Sequence, residues 1–206
     1  MNQTAPVREL LRRLLPADFG CAVLHVSQAA PPLMPGEEVA VARAIPKRRH
    51  EFALGRLALR MALAEAGHDL PPDRPIPSRA DRRPDLPDGI RASLSHGGAF
   101  CVAVASPVGG PWVGVDIESA TRSAPEGLAE SVAPYRMTDD APLLAFCVKE
   151  AMFKAQFPLT GRMLDFSDVP AVIRGGRARA CLGARLIAAR WGAAMDHYLA
   201  VSLWRG

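Results

Sequence analysis

Lysine is scarce in this chain of 206 residues. Of its 25 basic side chains only Lys47, Lys149 and Lys154 are lysine, and the rest are arginine. Set against 21 acidic residues, they leave a net charge of +4, too even a balance for a dedicated nucleic-acid binder. Aromatic residues make up only 6%, so stacking platforms for unpaired bases are few. The four cysteines (Cys21, Cys101, Cys147, Cys181) are far apart and form no CxxC pair. That excludes the usual structural zinc pattern and a disulfide scaffold, and leaves buried free thiols of a reducing compartment. No apolar run reaches membrane-spanning length, and Arg8, Glu9, Arg12 and Arg13 interrupt the first turns where a signal sequence would be apolar. A cytoplasmic protein is expected. Neither GxGxxG nor GxxxxGK[ST] occurs, which excludes the common dinucleotide and P-loop patterns.

What is present is a folding composition: 49% hydrophobic and 22% charged residues. Val7 to Leu15 has the spacing of an amphipathic helix stopped by Pro16, and Cys21 to Val26 reads as a strand. Helical spacing begins again at Glu37, and Pro46 opens a longer helix in which Phe52, Leu59 and Leu63 recur on one face before Gly67. Residues 69–89 hold six prolines and form the main irregular stretch, the kind of long loop that serves a ligand site. Strands are expected at 91–94 and 100–106, with Ser95-His96-Gly97-Gly98 turning between them. A further strand at 112–117 is expected to run antiparallel to its predecessor. Pro142 to Phe157 reads as a helix ended by Pro158, followed by short strands around 171–174, 178–183, 185–191 and 197–204. The expected fold is α+β: two similar lobes (1–106 and 107–206) with mainly antiparallel sheet and a cleft between them.

Four segments carry chemistry. In Val113-Gly114-Val115-Asp116-Ile117-Glu118 the strand period sends both carboxylates to one side and Val115 and Ile117 to the other. Two carboxylates so close repel, and a hard divalent cation such as Mg²⁺ relieves that cost; a solvated strand end is the plainer alternative. In Lys149-Glu150-Ala151-Met152-Phe153-Lys154, Glu150 and Lys154 share one helical face. An ordinary surface pair would look the same, but lysine is rarely chosen in this chain. Ser93-Leu94-Ser95-His96-Gly97-Gly98 offers a ring and flexible backbone N–H groups to a phosphate; Ser95 lacks the nucleophile elbow of a hydrolase. From 43 to 60 the chain holds six basic residues, among them Lys47, Arg48, Arg49, Arg56 and Arg60, with a single acid, and Arg82 and Arg83 follow in the proline-rich loop. Arginine forks suit phosphate, or simply a solvated helix face.

In order and spacing these segments resemble the 4′-phosphopantetheinyl transferases, in particular the compact class that serves enterobactin and other siderophore or peptide synthetases. The shared pattern covers roughly residues 46–155: a basic helix opening, a proline-bearing loop, S-x-S-H, G-V-D-I-E and F-C-V-K-E-A-x-x-K. Cys147, Leu86 and Ala92 depart from residues common in that family. The resemblance implies Mg²⁺-dependent transfer of the 4′-phosphopantetheine arm of coenzyme A to a serine of an acyl, peptidyl or aryl carrier protein. Adenosine 3′,5′-bisphosphate would be released by a monomeric enzyme. It implies Asp116, Glu118 and Glu150 as the metal-facing carboxylates. Glu150, Lys154 and Asp116 would be catalytic, and Arg48, Arg49, Arg56, Arg82, Arg83, Ser95, His96 and Lys154 would contact coenzyme A. Two other classes stay open from the residues alone: a metal-dependent nuclease or nucleotidyl transferase, and a non-catalytic phosphate-ligand or RNA-binding domain.

Overall fold

The computed structural model describes residues 3–139 and 141–206. Helix α1 (Ala5–Leu14) carries Pro6 in its first turn and buries Val7, Leu10, Leu11 and Leu14 along one stripe. It is followed by β1 (Gly20–His25), a 3₁₀ turn at Glu38–Val41, and α2 (Pro46–Glu65), which starts on Pro46. Then come β2 (Ala92–Gly97), β3 (Phe100–Ala105), β4 (Trp112–Ser119), the single turn α3 (Leu128–Ser131) and β5 (Tyr135–Arg136). Helix α4 (Pro142–Thr160), β6 (Ala171–Arg174), β7 (Arg177–Leu182), β8 (Arg185–Ala194) and β9 (His197–Trp204) complete the chain. Among the described residues no helix is long and apolar enough to cross a membrane.

The strands form two sheets, β1-β3-β2 and β4-β9-β8-β7-β6-β5, antiparallel throughout except where β5 meets β6. This is the expected α+β architecture. The sheets are unequal, three strands against six, so the likeness between the halves is confined to a shared order: β4-β9-β8 repeats β1-β3-β2. Leu54, Ala58, Leu59 and Leu63 of α2 pack on Ala22, Leu24 and Ala103 of the first sheet. Val148, Ala151, Met152 and Ala155 of α4 pack on Ile173, Ala180 and Ile187 of the second. A third cluster joins the two: Leu10 and Leu11 of α1 meet Val102 and Val104 from one sheet and Val115 and Val201 from the other.

Several local expectations are corrected. Strand β4 pairs with β9, not with β3 before it, so 107–111 carries the chain from one sheet to the other instead of closing a hairpin. The turn between β2 and β3 lies at Gly98-Ala99, and Ser95 and His96 belong to the strand itself. Helix α4 runs past Pro158 to Thr160, and Gly161 (φ +62°) ends it, its N–H reaching the Phe157 carbonyl at 2.8 Å. Proline removes one donor near the helix end, where few carbonyls remain to need one. Cys21, Cys101 and Cys147 are buried free thiols as expected, but Cys181 is exposed.

Strand β2 lies beside β4 without a backbone ladder. Ser93 Oγ instead accepts the Val115 N–H at 3.1 Å, and Gly97 comes so close that a Cβ there would sit 2.2 Å from the Ile117 carbonyl oxygen. This seam between the sheets, roofed by α4, is where the carboxylates lie.

Candidate functional site

The alternation of β4 sends Val113, Val115 and Ile117 into the core and Asp116 to the other side, where it is buried. Gly114 makes the approach of α4 possible. A Cβ at that position would lie 2.0 Å from the Ala151 carbonyl oxygen and 2.6 Å from the Ala155 nitrogen. With the helix this close, Lys154 Nζ reaches Asp116 Oδ1 at 2.6 Å, and Ser95 Oγ and the Val115 carbonyl at 3.3 Å each. Ser95 Oγ donates to the same Asp116 Oδ1 at 2.6 Å. One carboxylate oxygen thus has two donors. The other, Oδ2, is buried with no hydrogen-bond partner. A buried carboxylate oxygen is costly when unpaired.

The neighbouring acids are raised by their surroundings. Burial, then the negative charge of Asp116, pushes the Glu118 carboxyl up to about 7. Burial also raises Glu150; Lys154 pulls the other way and Asp116 reinforces the rise. Lys154 is held above the usual lysine range: burial, the largest influence, would lower it, but Asp116, Glu150 and Cys147 together raise it by more. Glu118, Asp116 and Glu150 therefore share one electrostatic neighbourhood. They do not converge as a ready three-ligand cage, and among the described residues no group of three His, Cys, Asp or Glu does. Oxygen donors, an orphaned carboxylate oxygen and proton-retaining neighbours fit Mg²⁺, which is usually held by one or two carboxylates together with waters and substrate phosphates.

The expected phosphate contacts divide into separate groups. His96 lies on the face of β2 opposite Ser95, toward α2, where its Nε2 meets the Arg48 guanidinium and lies 3.7 Å from Glu51 Oε2. Glu51, the one acid in the basic stretch 43–60, also lies 3.9 Å from Lys47 and 4.0 Å from Arg48. Arg49 is exposed on the same helix opening. Arg56, about two turns further along α2, is not exposed as they are. It is buried, donates to the Ile76 carbonyl at 2.6 Å and to Ser78 Oγ at 2.9 Å, and lies over the Phe52 ring. Its guanidinium ties the proline-rich loop to α2. Arg60 is likewise taken, by buried Glu37 at 2.7 Å. Arg82 is exposed with φ +69°, whereas Arg83 pairs with Asp81 and lies over Phe157 of α4, 5.1 Å from the ring centre. The loop at 69–89 thereby reaches the helix that carries Glu150 and Lys154.

Sequence reasoning missed three features. Lys149 stands in the helix motif without a role read from the sequence. It is buried, donates to the carbonyls of Pro134 at 3.0 Å and Phe166 at 2.8 Å, and burial pushes it down to about 8. Beside it, Glu150, Phe153, Leu164 and Phe166 line a cavity of about 170 Å³. No motif marks this cavity, because its outer wall is the irregular segment after α4. Ser93, quoted in the sequence motif without a role, ties β4 to β2 through the Val115 N–H.

Comparison with known proteins accords with this arrangement. Residues 36–106 match the 4′-phosphopantetheinyl transferase N-terminal domain. A 4′-phosphopantetheinyl transferase of Streptomyces mobaraensis is 36% identical over 154 residues, 68% of this chain and 61% of that protein. The chain thus spans less than two thirds of the length of that relative. A 4′-phosphopantetheinyl transferase of Nocardia iowensis is 35% identical over 169 residues, 77% of this chain and 74% of that protein. One from Mycobacterium tuberculosis is 33% identical over 177 residues, 79% of this chain and 76% of that protein. On the strength of these extended matches, the chain belongs to the 4′-phosphopantetheinyl transferase superfamily.

Proposed function

We propose that the protein transfers the 4′-phosphopantetheine group of coenzyme A to a serine hydroxyl of an acyl, peptidyl or aryl carrier protein, as a Mg²⁺-dependent monomeric enzyme. The observation that carries this reading is the buried Asp116 carboxylate, with one oxygen held by Lys154 and Ser95 and the other without a partner, in a chain of this superfamily. Asp116 and Glu118 would hold the metal, with Glu150 beside them. A Mg²⁺ ion bound there supplies charge neutralisation at the pyrophosphate.

The chain's own groups account for the remaining needs. Glu150 retains protons more tightly than an ordinary carboxyl, which suits a group that accepts the serine proton directly or through water. The serine oxygen forms a bond to the phosphorus of the phosphopantetheine, and the bond to adenosine 3′,5′-bisphosphate breaks. Lys154, already cationic against Asp116, stabilises the charge on the transferring phosphate. Arg48 and Arg49 at the opening of α2 and His96 of β2 beside them, with Arg82 and Arg83 on the loop, meet the other phosphates, and Arg56 holds that loop in place. The cavity beside Glu150, lined by Phe153, Leu164 and Phe166, accepts the narrow pantetheine arm.

The test is incubation of the full chain with coenzyme A, MgCl₂ and several apo carrier domains, read by mass spectrometry. Addition of the phosphopantetheine mass is expected, and Asp116→Asn should abolish it while preserving the fold. Absence of that mass on every carrier, or undiminished transfer by Asp116→Asn, would overturn the reading.

A further inference from the structure

Residues 171–194 contain five arginines and no aspartate or glutamate. The strand period sets Ile173, Ala178, Ala180, Ile187 and Ala189 against α4 and turns Arg174, Arg177, Arg179 and Arg190 to the opposite, exposed face. Register puts like charges directly across from each other: Arg177 on β7 faces Arg174 on β6 and Arg190 on β8. None of the four side chains has a hydrogen bond, an ion pair or a ring contact among the described residues. Directly opposed like charges destabilise a sheet. Within 171–194 no acidic residue offsets these charges, whereas the basic stretch 43–60 holds Glu51 among its cations.

The surroundings select among anionic partners. Val172 (55% exposed) lies across from Arg179, and Leu186 (57% exposed) stands on the same face of β8. No aromatic ring stands there to stack on bases; Trp191, the aromatic residue of β8, packs toward α4. Arginine forks interspersed with aliphatic side chains match carboxylates interspersed with aliphatic side chains, not a bare phosphate backbone. Three neighbouring strands span about 10 Å, the width of one helix. We infer that the outer face of β6–β7–β8 docks an acidic amphipathic helix of a protein partner. This goes beyond the transfer reaction. Because α4 lies on the other side of the sheet, such a partner stays bound while the carboxylate site works.

The test titrates the full chain into a labelled 20-residue helical peptide whose one face carries Glu and Leu. A duplex oligonucleotide and vesicles containing anionic phospholipid run in parallel. The peptide should bind best and weaken at least tenfold between 50 and 300 mM salt, and at least tenfold again in Arg177→Glu/Arg179→Glu. That variant should melt no lower than the parent, since opposed like charges become opposite ones. Arg177→Gln/Arg179→Gln, which adds no new charge, should show the same loss of peptide. Transfer to an isolated carrier domain should be unchanged in both variants, which separates this inference from the proposed reaction. Failure of the peptide to bind, undiminished binding by both variants, or tighter binding of the duplex or the vesicles would overturn it.

Discussion

Replacing Gly114 with alanine tests whether helix–strand closeness builds the site. The added Cβ would sit 2.0 Å from the Ala151 carbonyl oxygen and 2.6 Å from the Ala155 nitrogen, both backbone atoms of α4 that cannot rotate away. Ordinary non-bonded contact with carbon is about 3.5 Å, so the helix must retreat by roughly 1–1.5 Å. Lys154 is carried on that helix, and its 2.6 Å bond to Asp116 then exceeds hydrogen-bond length. Overpacking of this kind costs about 1–3 kcal/mol. For a chain of this size that lowers Tm by roughly 2–12 °C. A displacement near 1 Å at the reacting groups costs on the order of 100-fold in rate. Gly55→Ala is the control: its Cβ meets only Leu94 Cδ1, at 3.5 Å, and it lies inside α2. There alanine should stabilise by about 0.5–1 kcal/mol. The measurements are Tm by scanning fluorimetry and the initial rate of phosphopantetheine transfer. Gly114→Ala melting within a degree of the parent at full rate would refute the argument.

Other outcomes follow from the same geometry. Glu118 is raised to about 7, so the stability its protonated form gives the metal-free fold is full below the ordinary glutamate range and is lost as pH rises through about 7. Mg²⁺ needs the carboxylates ionised, so its addition should raise Tm more at pH 8 than at pH 6; an equal rise would contradict the metal assignment. Arg56→Ala should cost about 1.5–3 kcal/mol by stripping donors from the Ile76 carbonyl and Ser78. It should also speed limited proteolysis within 69–89, and unchanged melting and cleavage would count against the anchoring role.

Much of the fold is legible in the sequence because its signals are local. Pro46 and Pro142 mark helix starts, and the stripe containing Leu59 and Leu63 marks the buried face of α2. The pairing of β4 with β9 was not legible, since no local pattern in 112–117 specifies a partner at 197–204. In the site, the one-sided placement of Asp116 and Glu118 and the Glu150–Lys154 face could be read from the periods of strand and helix. The fate of the arginines could not. Arg56 and Arg60 occupy the same helical face as ligand-binding residues would, and only the position of the distant Ile76 and Glu37 shows that they are engaged in holding loops. Glycine spacing was the underused signal: Gly97 and Gly114 mark the two close approaches that bring the sheets and α4 together.

Strand β2 separates two chemistries by a single peptide bond, with Ser95 turned to the acidic side and His96 to the basic one. Insertion or deletion of one residue between them would exchange their environments, delivering an imidazole to the carboxylates and a hydroxyl to the guanidinium. An added residue should therefore be tolerated in the 69–89 loop but not between Ser93 and His96, whose spacing works as a fixed ruler for both environments.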